Sequence, residues 1–193
     1  MKTASVMLQT LCVPCGCHCR YCLLSWDGKT VGADYDRCAA YAAAFHKWIG
    51  KERPELSFHF SFGYSMEHPR LFGMLDFLNS IGSVTGRFLQ LDGMRLRTEE
   101  EYTALTLKLR EHGVRSVKLT FYGLPEYHDR FAGRKEDFVH LLVLAKAAAA
   151  SGLETSAGFP LTEESAPQAE AVLDILEEAG IRRFSLFVPD EEV

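Results

Sequence analysis

The chain has 193 residues, 47% of them hydrophobic, which suits one globular domain with a sizeable core. A formal charge of −5 argues against the basic stripe by which proteins track a phosphate backbone, so nucleic acid is not an expected partner. Met1 to Leu11 hold one lysine and a short apolar stretch broken by Gln9, too brief for a signal peptide. No apolar run approaches the ~20 residues of a membrane span, so a cytoplasmic protein without a membrane partner is expected.

A first strand is expected over 4–12. Five of the six cysteines then crowd between Cys12 and Cys22. The sixth, Cys38, lies in an alanine-rich helical stretch with Tyr41, Ala42 and Phe45 and reads as core packing. That helix should stop at Gly50, since glycine suits the left-handed position after a helix. A second strand follows over 56–62, and Pro69 sits well in the first turn of a second helix ending at Gly82. A third strand is expected over 84–91. Thr98 and Glu101 form a capping box that opens a helix over 98–112, stopped by Gly113. The fourth strand covers 116–122. Over 137–150, Phe138, Leu141, Leu142, Ala145, Ala148 and Ala149 recur at helical spacing and bury one face before Gly152. The fifth strand covers 153–159. Ala169, Val172, Leu173, Leu176 and Ala179 repeat the pattern over 166–179 before Gly180, and the sixth strand covers 183–188.

Strands alternating with helices argue for parallel βαβ units, which right-handed crossovers wind into a barrel or an open doubly wound sheet. The count is six strands and five helices. The chain reads as one core domain over 1–193, truncated after strand six where a sixth helix is expected. The apolar face of Phe184, Leu186 or Val188 would then stay uncovered and favour self-association. In such folds the loops after the strands meet on one face, which carries the active site. The cysteine loop follows strand one, so it should share that rim with Tyr64 and Tyr122.

Three of the crowded cysteines fall at Cys15-x3-Cys19-x2-Cys22, with Tyr21 before the last. This spacing lets one loop hand three thiolates to three corners of a [4Fe–4S] cube, leaving the fourth iron open to chemistry. Disulfide frameworks instead spread their cysteines along a small secreted chain. A zinc knot would use the pairs Cys12-x2-Cys15 and Cys19-x2-Cys22, but structural zinc sites put a longer connection between pairs. Cys12 and Cys17 read as spare, and His18 as loop filler.

The motif Cys15-Gly-Cys-His-Cys19-Arg-Tyr21-Cys22 after the first strand resembles the radical S-adenosylmethionine (radical SAM) superfamily. The block Leu119-Thr-Phe-Tyr-Gly-Leu-Pro-Glu-Tyr-His128-Asp129-Arg-Phe-Ala-Gly133 is similar to the fourth strand and loop of its peptide- and protein-modifying branch, which includes the SPASM-type and sulfatase-maturating enzymes. The resemblance implies an α/β fold, a partial (β/α)6 TIM-like barrel of parallel strands with the sixth helix missing. It implies a [4Fe–4S] cluster on Cys15, Cys19 and Cys22, and SAM bound through its amino and carboxylate groups to the fourth iron. Reductive cleavage of SAM would then give a radical that takes hydrogen from substrate. Implied partners are a low-potential electron donor such as a flavodoxin or ferredoxin, and a peptide or protein substrate. By position, Tyr21 would lie against the adenine, Thr120 would contact SAM, and the Val188 backbone would sit near the adenine.

One segment departs from the family. After strand two the family has Gly-Gly-Glu-Pro, which receives the methionine ammonium; this chain reads Phe62-Gly63-Tyr64-Ser65. A backbone carbonyl would have to take the ammonium, helped by the Tyr64 or Ser65 hydroxyl or by Glu67, at a loss of roughly 1–2 kcal/mol. Asp92 stands where the third strand often ends in Asn-Gly. An alternative is therefore an iron–sulfur or zinc-binding scaffold of the same fold without SAM chemistry, and an electron-transfer protein is a third. His128 and Asp129 could form an acid–base pair, but in a turn-rich loop their side chains are expected to bond the backbone instead.

Overall fold

Every strand of the protein runs parallel to its neighbours, as the strand–helix alternation demands. The structure, a computed structural model, describes residues 4–10, 15–19, 34–63 and 66–188. In chain order the elements are β1 (Ala4–Gln9), α1 (Tyr35–Glu52), β2 (Leu56–Ser61), α2 (Leu71–Ser80), β3 (Phe88–Gln90), α3 (Glu99–Glu111), β4 (Ser116–Thr120), α4 (Pro125–Ala132), α5 (Asp137–Ala150), β5 (Glu154–Pro160), α6 (Ala169–Glu178) and β6 (Arg183–Phe187). β1 pairs with β2, and β3-β4-β5-β6 form a second sheet. Among the described residues no helix is long and apolar enough to cross a membrane.

The helices cover one face of the strands. Val117 and Leu119 of β4 and Ala157 and Phe159 of β5 pack in one cluster with Leu109 of α3, Leu144 of α5 and Leu176 of α6. Side chains alternate along a strand, so Lys118 and Ser156 turn to the opposite, inner face. Helices on a single face are the mark of a barrel winding rather than a doubly wound sheet. The fold is thus a partial TIM-like barrel. α2 joins its two halves, since Leu71 and Leu75 enter the larger cluster while Met74 and Leu78 pack with Phe58, Phe60 and Ile49.

The seam between β2 and β3 is closed by side chains rather than by a ladder. The Phe60 amide donates to Ser83 Oγ at 3.1 Å, and the Thr85 hydroxyl donates to the Phe60 carbonyl. A cleft of about 320 Å³ opens beside this bridge, lined by Gln9, Ser61, Gly63, Met66 and Gln90 among others.

Several boundaries differ from expectation. α1 runs through Gly50 to Glu52. A side chain at Gly50 would meet nothing within 4 Å, so this glycine marks no tight turn, and the helix ends where Pro54 disfavours helix at the residue before it. β3 starts only at Phe88, because Thr85–Arg87 form a 3-10 turn. An unexpected helix, α4, fills the loop after β4. Pro125 at its first position and Gly133, at φ 65°, past its end are its signals. His128 and Asp129 therefore lie on a helix and not in a turn-rich loop. Phe184 packs against the core, whereas Leu186 is 51% and Val188 74% exposed. The helix expected after strand six falls outside the described residues.

Ser83→Ala tests the seam. It leaves the buried Phe60 amide without its acceptor, and the expected loss is about 1–3 kcal/mol in urea unfolding. An unchanged midpoint would mean that the seam contributes nothing to stability.

Candidate metal centre

A loop of cysteines has no regular structure to fix it, so its position must be imposed by what it packs against. The Gly16 amide donates to the Gly93 carbonyl at 2.7 Å, and the His18 amide to the Ala132 carbonyl at 2.8 Å. These partners lie in the loop after β3 and at the end of α4. Contact is close enough to require glycine on the receiving side. A Cβ on Gly93, at φ 69°, would fall 1.9 Å from Cys15 Sγ, and one on Gly133, at φ 65°, would fall 2.9 Å from the His18 Cβ. The His18 side chain points to solvent, consistent with a filler role.

The sulfurs differ in character. The Cys17 thiol lies within hydrogen-bonding reach of three acceptors, the Cys15 and Cys19 sulfurs and Asp137 Oδ2 at 3.6 Å. Its hydrogen bond is the main cause that brings the Cys15 thiol down to about 7, against the burial that opposes it. The same contact leads in lowering Cys19, with burial again opposing and the Tyr122 hydroxyl, 3.1 Å from Cys19 Sγ, assisting. Cys17, hydrogen-bonded to both and buried, is pushed far up. Metal binds the thiolate. The motif assigns Cys15 and Cys19 to metal and leaves Cys17, which lies between them, spare. Cys15 and Cys19 thus fit the cluster. Among the described residues no group of three His, Cys, Asp or Glu side chains is arranged to hold a metal ion; Cys22, the third expected ligand, lies outside them.

Behind the loop stands a knot of buried polar groups in which His128 joins Arg134 and Asp137, two residues that the sequence did not single out. Asp137, 1% exposed, accepts from His128 Nε2 at 3.1 Å and from Arg134 Nε at 3.0 Å. The Tyr122 amide donates to His128 Nδ1 at 3.1 Å, so the ring is neutral and carries its proton on Nε2. Burial works against the Asp137 carboxylate, but the His128 hydrogen bond and the Arg134 guanidinium outweigh it and hold its pKa below the usual range. Arg134 also donates to the Met94 carbonyl, tying α5 to the loop after β3. Asp129 accepts from the Glu136 and Phe138 amides at the start of α5. The pair His128–Asp129 is therefore structural, as expected. The cue to Asp137 in the sequence is its place at the first position of α5, nine residues after His128.

The other expected site residues scatter around the rim. Thr120 ends β4, and its hydroxyl is committed to Asp92 Oδ2 at 2.8 Å, while its amide donates to Asp92 Oδ1 at 2.7 Å. Tyr122 lies beside the cysteine loop as expected, buried against Cys19, and stacks on Phe131 with centroids 4.7 Å apart. Gly63, at φ 42°, lies just past β2 and lines the seam cleft. Val188 lies just past β6 at the far edge of the larger sheet. Glu67 is occupied: its two oxygens take Arg97 in a bidentate pair at 2.7 and 2.8 Å. Cys12, Tyr21, Cys22, Tyr64 and Ser65 lie outside the described residues.

Gly93→Ala is expected to remove most of the iron from anaerobically reconstituted protein, because the new methyl group meets Cys15 Sγ and the backbone there favours glycine. Iron and acid-labile sulfide content report the loss, and far-UV circular dichroism should stay close to wild type. Full iron content would show that the loop can move away from Gly93 without cost.

By sequence, no protein-family model and no curated protein match the chain. By structure it is similar to SuiB of Streptococcus suis bound to S-adenosylmethionine, with a TM-score of 0.65 at 15% identity over 95% of this chain and 41% of that one. It is also similar to anSMEcpe with bound AdoMet, at TM-score 0.65 and 17% identity over 99% of this chain and 53% of that one. HemN, the coproporphyrinogen III oxidase of Escherichia coli described as a radical SAM enzyme, gives a TM-score of 0.57 at 16% identity over 97% of this chain and 44% of that one. The chain thus spans about half the length of the structures it matches. It has the core fold of the radical SAM enzymes.

Proposed function

We propose that the chain is the catalytic core of a radical SAM enzyme acting on a peptide or protein in the cytoplasm. The observation that carries this is the cysteine loop, docked by the Gly16–Gly93 and His18–Ala132 hydrogen bonds beside the strand ends of a radical SAM fold. Cys15, Cys19 and Cys22 would hold a [4Fe–4S] cluster. When bound, the cluster supplies an electron that cleaves SAM and yields the 5′-deoxyadenosyl radical that takes hydrogen from substrate. The chain's own part is to hold and tune. Gly93 and Gly133 fix the loop's position, and the Tyr122 hydroxyl donates to the Cys19 sulfur, a contact of the kind that adjusts cluster potential. Tyr21 would lie against the adenine, with Val188 nearby through its backbone. Gly63, Tyr64 and Ser65 would receive the methionine ammonium, and Thr120, braced by Asp92, would contact SAM.

Structures of SuiB bound to precursor peptide SuiA and of anSMEcpe with AdoMet and Kp18Cys peptide support a peptide or protein as substrate. A low-potential donor such as a flavodoxin or ferredoxin would supply the electron. The second reading is a cluster- or zinc-bearing scaffold without SAM chemistry. It is favoured by one observation: Glu67, the acid nearest the altered loop, is already paired with Arg97.

Electron paramagnetic resonance of the reduced, anaerobically reconstituted protein separates these. A cluster signal that changes on adding SAM is expected. Zinc without iron supports the scaffold, and a cluster indifferent to SAM supports electron transfer. Cys15→Ala, Cys19→Ala and Cys22→Ala should each abolish the cluster, whereas Cys12→Ala, Cys17→Ala and Cys38→Ala should keep most of the iron. Equal loss from Cys12→Ala would sink the three-thiolate assignment.

Tyr64→Glu restores an acid to the loop after β2 and is expected to tighten SAM binding about tenfold, the value of one charge-assisted hydrogen bond. The titration follows the same spectral change. Weaker binding in the variant would give Tyr64 another role.

A further inference from the structure

Lys118 places a cation on the inner face of the larger sheet. Its neighbours Val117 and Leu119 are fully buried under the helices, so alternation turns it to the inner face of the sheet. There it is half-buried, between Gln90 of β3 and Ser156 of β5 in the strand register. The stem climbs toward the rim. It lies over Gly158, which pairs with Thr120 one inner position nearer the cysteine loop, and a Cβ on Gly158 would meet Lys118 Cε at 2.9 Å and Nζ at 3.4 Å. The ammonium ends 5.9 Å from the centre of the Phe187 ring.

Among the described residues no carboxylate pairs with it. Glu154, on the same face lower down, is bound by Arg183 at 3.0 Å. Asp92, at the rim, already accepts from Gln90 and twice from Thr120. With no carboxylate to meet, the ammonium lies across Gly158 toward Phe187 on the inner face.

We propose that Lys118 is the specificity-determining residue of the inner face and receives a carboxylate carried by the substrate, either a side chain or a peptide C-terminus. The inference rests on the radical SAM reading above. In that reading the SAM carboxylate is already on the open iron, which leaves the substrate to supply the anion. Gly158 is the position that keeps the path of the lysine clear.

The test uses reconstituted holoprotein with SAM and a random hexapeptide library in two forms, with a free C-terminal carboxylate and with a C-terminal amide. Bound peptides are sequenced. Wild type should enrich peptides bearing a carboxylate about tenfold, as one charge-assisted contact gives. Comparing the two forms shows whether side chain or C-terminus supplies it. Lys118→Met should lose the enrichment, Lys118→Glu should turn it toward Lys- and Arg-bearing peptides, and Gly158→Ala should reduce it although the charge is kept. The SAM-induced change in the cluster spectrum should persist in Lys118→Met. No enrichment by wild type, equal enrichment by Lys118→Met, or loss of the SAM response in Lys118→Met would each overturn the proposal. A wild-type cluster indifferent to SAM would instead overturn the radical SAM reading, whatever the peptides show.

Discussion

The site depends on one docking contact, the seating of the cysteine loop on the loop after β3 and the end of α4. Two backbone hydrogen bonds make it, from Gly16 to Gly93 and from His18 to Ala132. Each is worth about 1 kcal/mol net, while ordering a residue costs about 1–2 kcal/mol. Two bonds therefore cannot hold the run Cys15–Cys19 in place. Burial of Cys17 and Cys19, the Asp137 knot and, in the proposed function, metal–thiolate bonds have to supply the remainder. Metal binding of this kind is coupled to folding. Glycine at 93 and 133 lets the surfaces close on each other, and neither position tolerates a side chain without moving the loop.

The barrel around this contact has an uneven wall. β1 and β2 form one piece and β3 to β6 another, and Ser83 and Thr85 stand in for the missing ladder by satisfying both backbone groups of Phe60. The hydrogen bonds a third strand would have made are thus supplied by two hydroxyls, and the space freed becomes the seam cleft. The inner face is also unlike a packed barrel core. Gln90, Lys118, Ser156 and Ser185 replace the branched apolar layers that fill such a barrel. In the proposed function this polar inner surface is the one that faces the ligands.

Much of this frame was legible in the sequence because it rests on local signals. The Thr98–Glu101 capping box forms as its residues imply, Gly82, Gly113, Gly152 and Gly180 all take positive φ after their helices, and the six strands fall near the expected segments. Gly50 misled because its helix ends on a proline rather than on a left-handed residue. α4 was missed because its eight residues follow strand four so closely that Gly123 and Pro125 read as a loop. The cysteine spacing pointed to Cys15 and Cys19, and both sulfurs lie within reach of Cys17 in the docked loop. What holds them was not legible: Gly93, Gly133, Arg134 and Asp137 reach the loop from positions separated by more than 70 residues, and no pattern along the chain encodes that approach. Tyr122 meets the cysteine loop as its place after strand four implied, but its burial against Phe131 of the unforeseen α4 was not legible.

The charges around the loop bear on how SAM would be held. Arg97 is 9% exposed at its side chain, and both Glu67 oxygens are spent on it. A guanidinium so buried cannot release its partner without a large desolvation cost, so Glu67 is fixed as a structural acid and is not available to an ammonium. Asp92 is likewise saturated by Thr120 and Gln90. Among the described residues Lys118 is then a basic group on the inner face with no carboxylate partner. Such a face attracts anions and resists a second cation such as the SAM sulfonium. In the proposed function, SAM recognition therefore shifts away from a protein carboxylate. It falls to backbone carbonyls near Gly63 and to chelation at the open iron, which draws on the amino and carboxylate groups together and needs no acid from the protein.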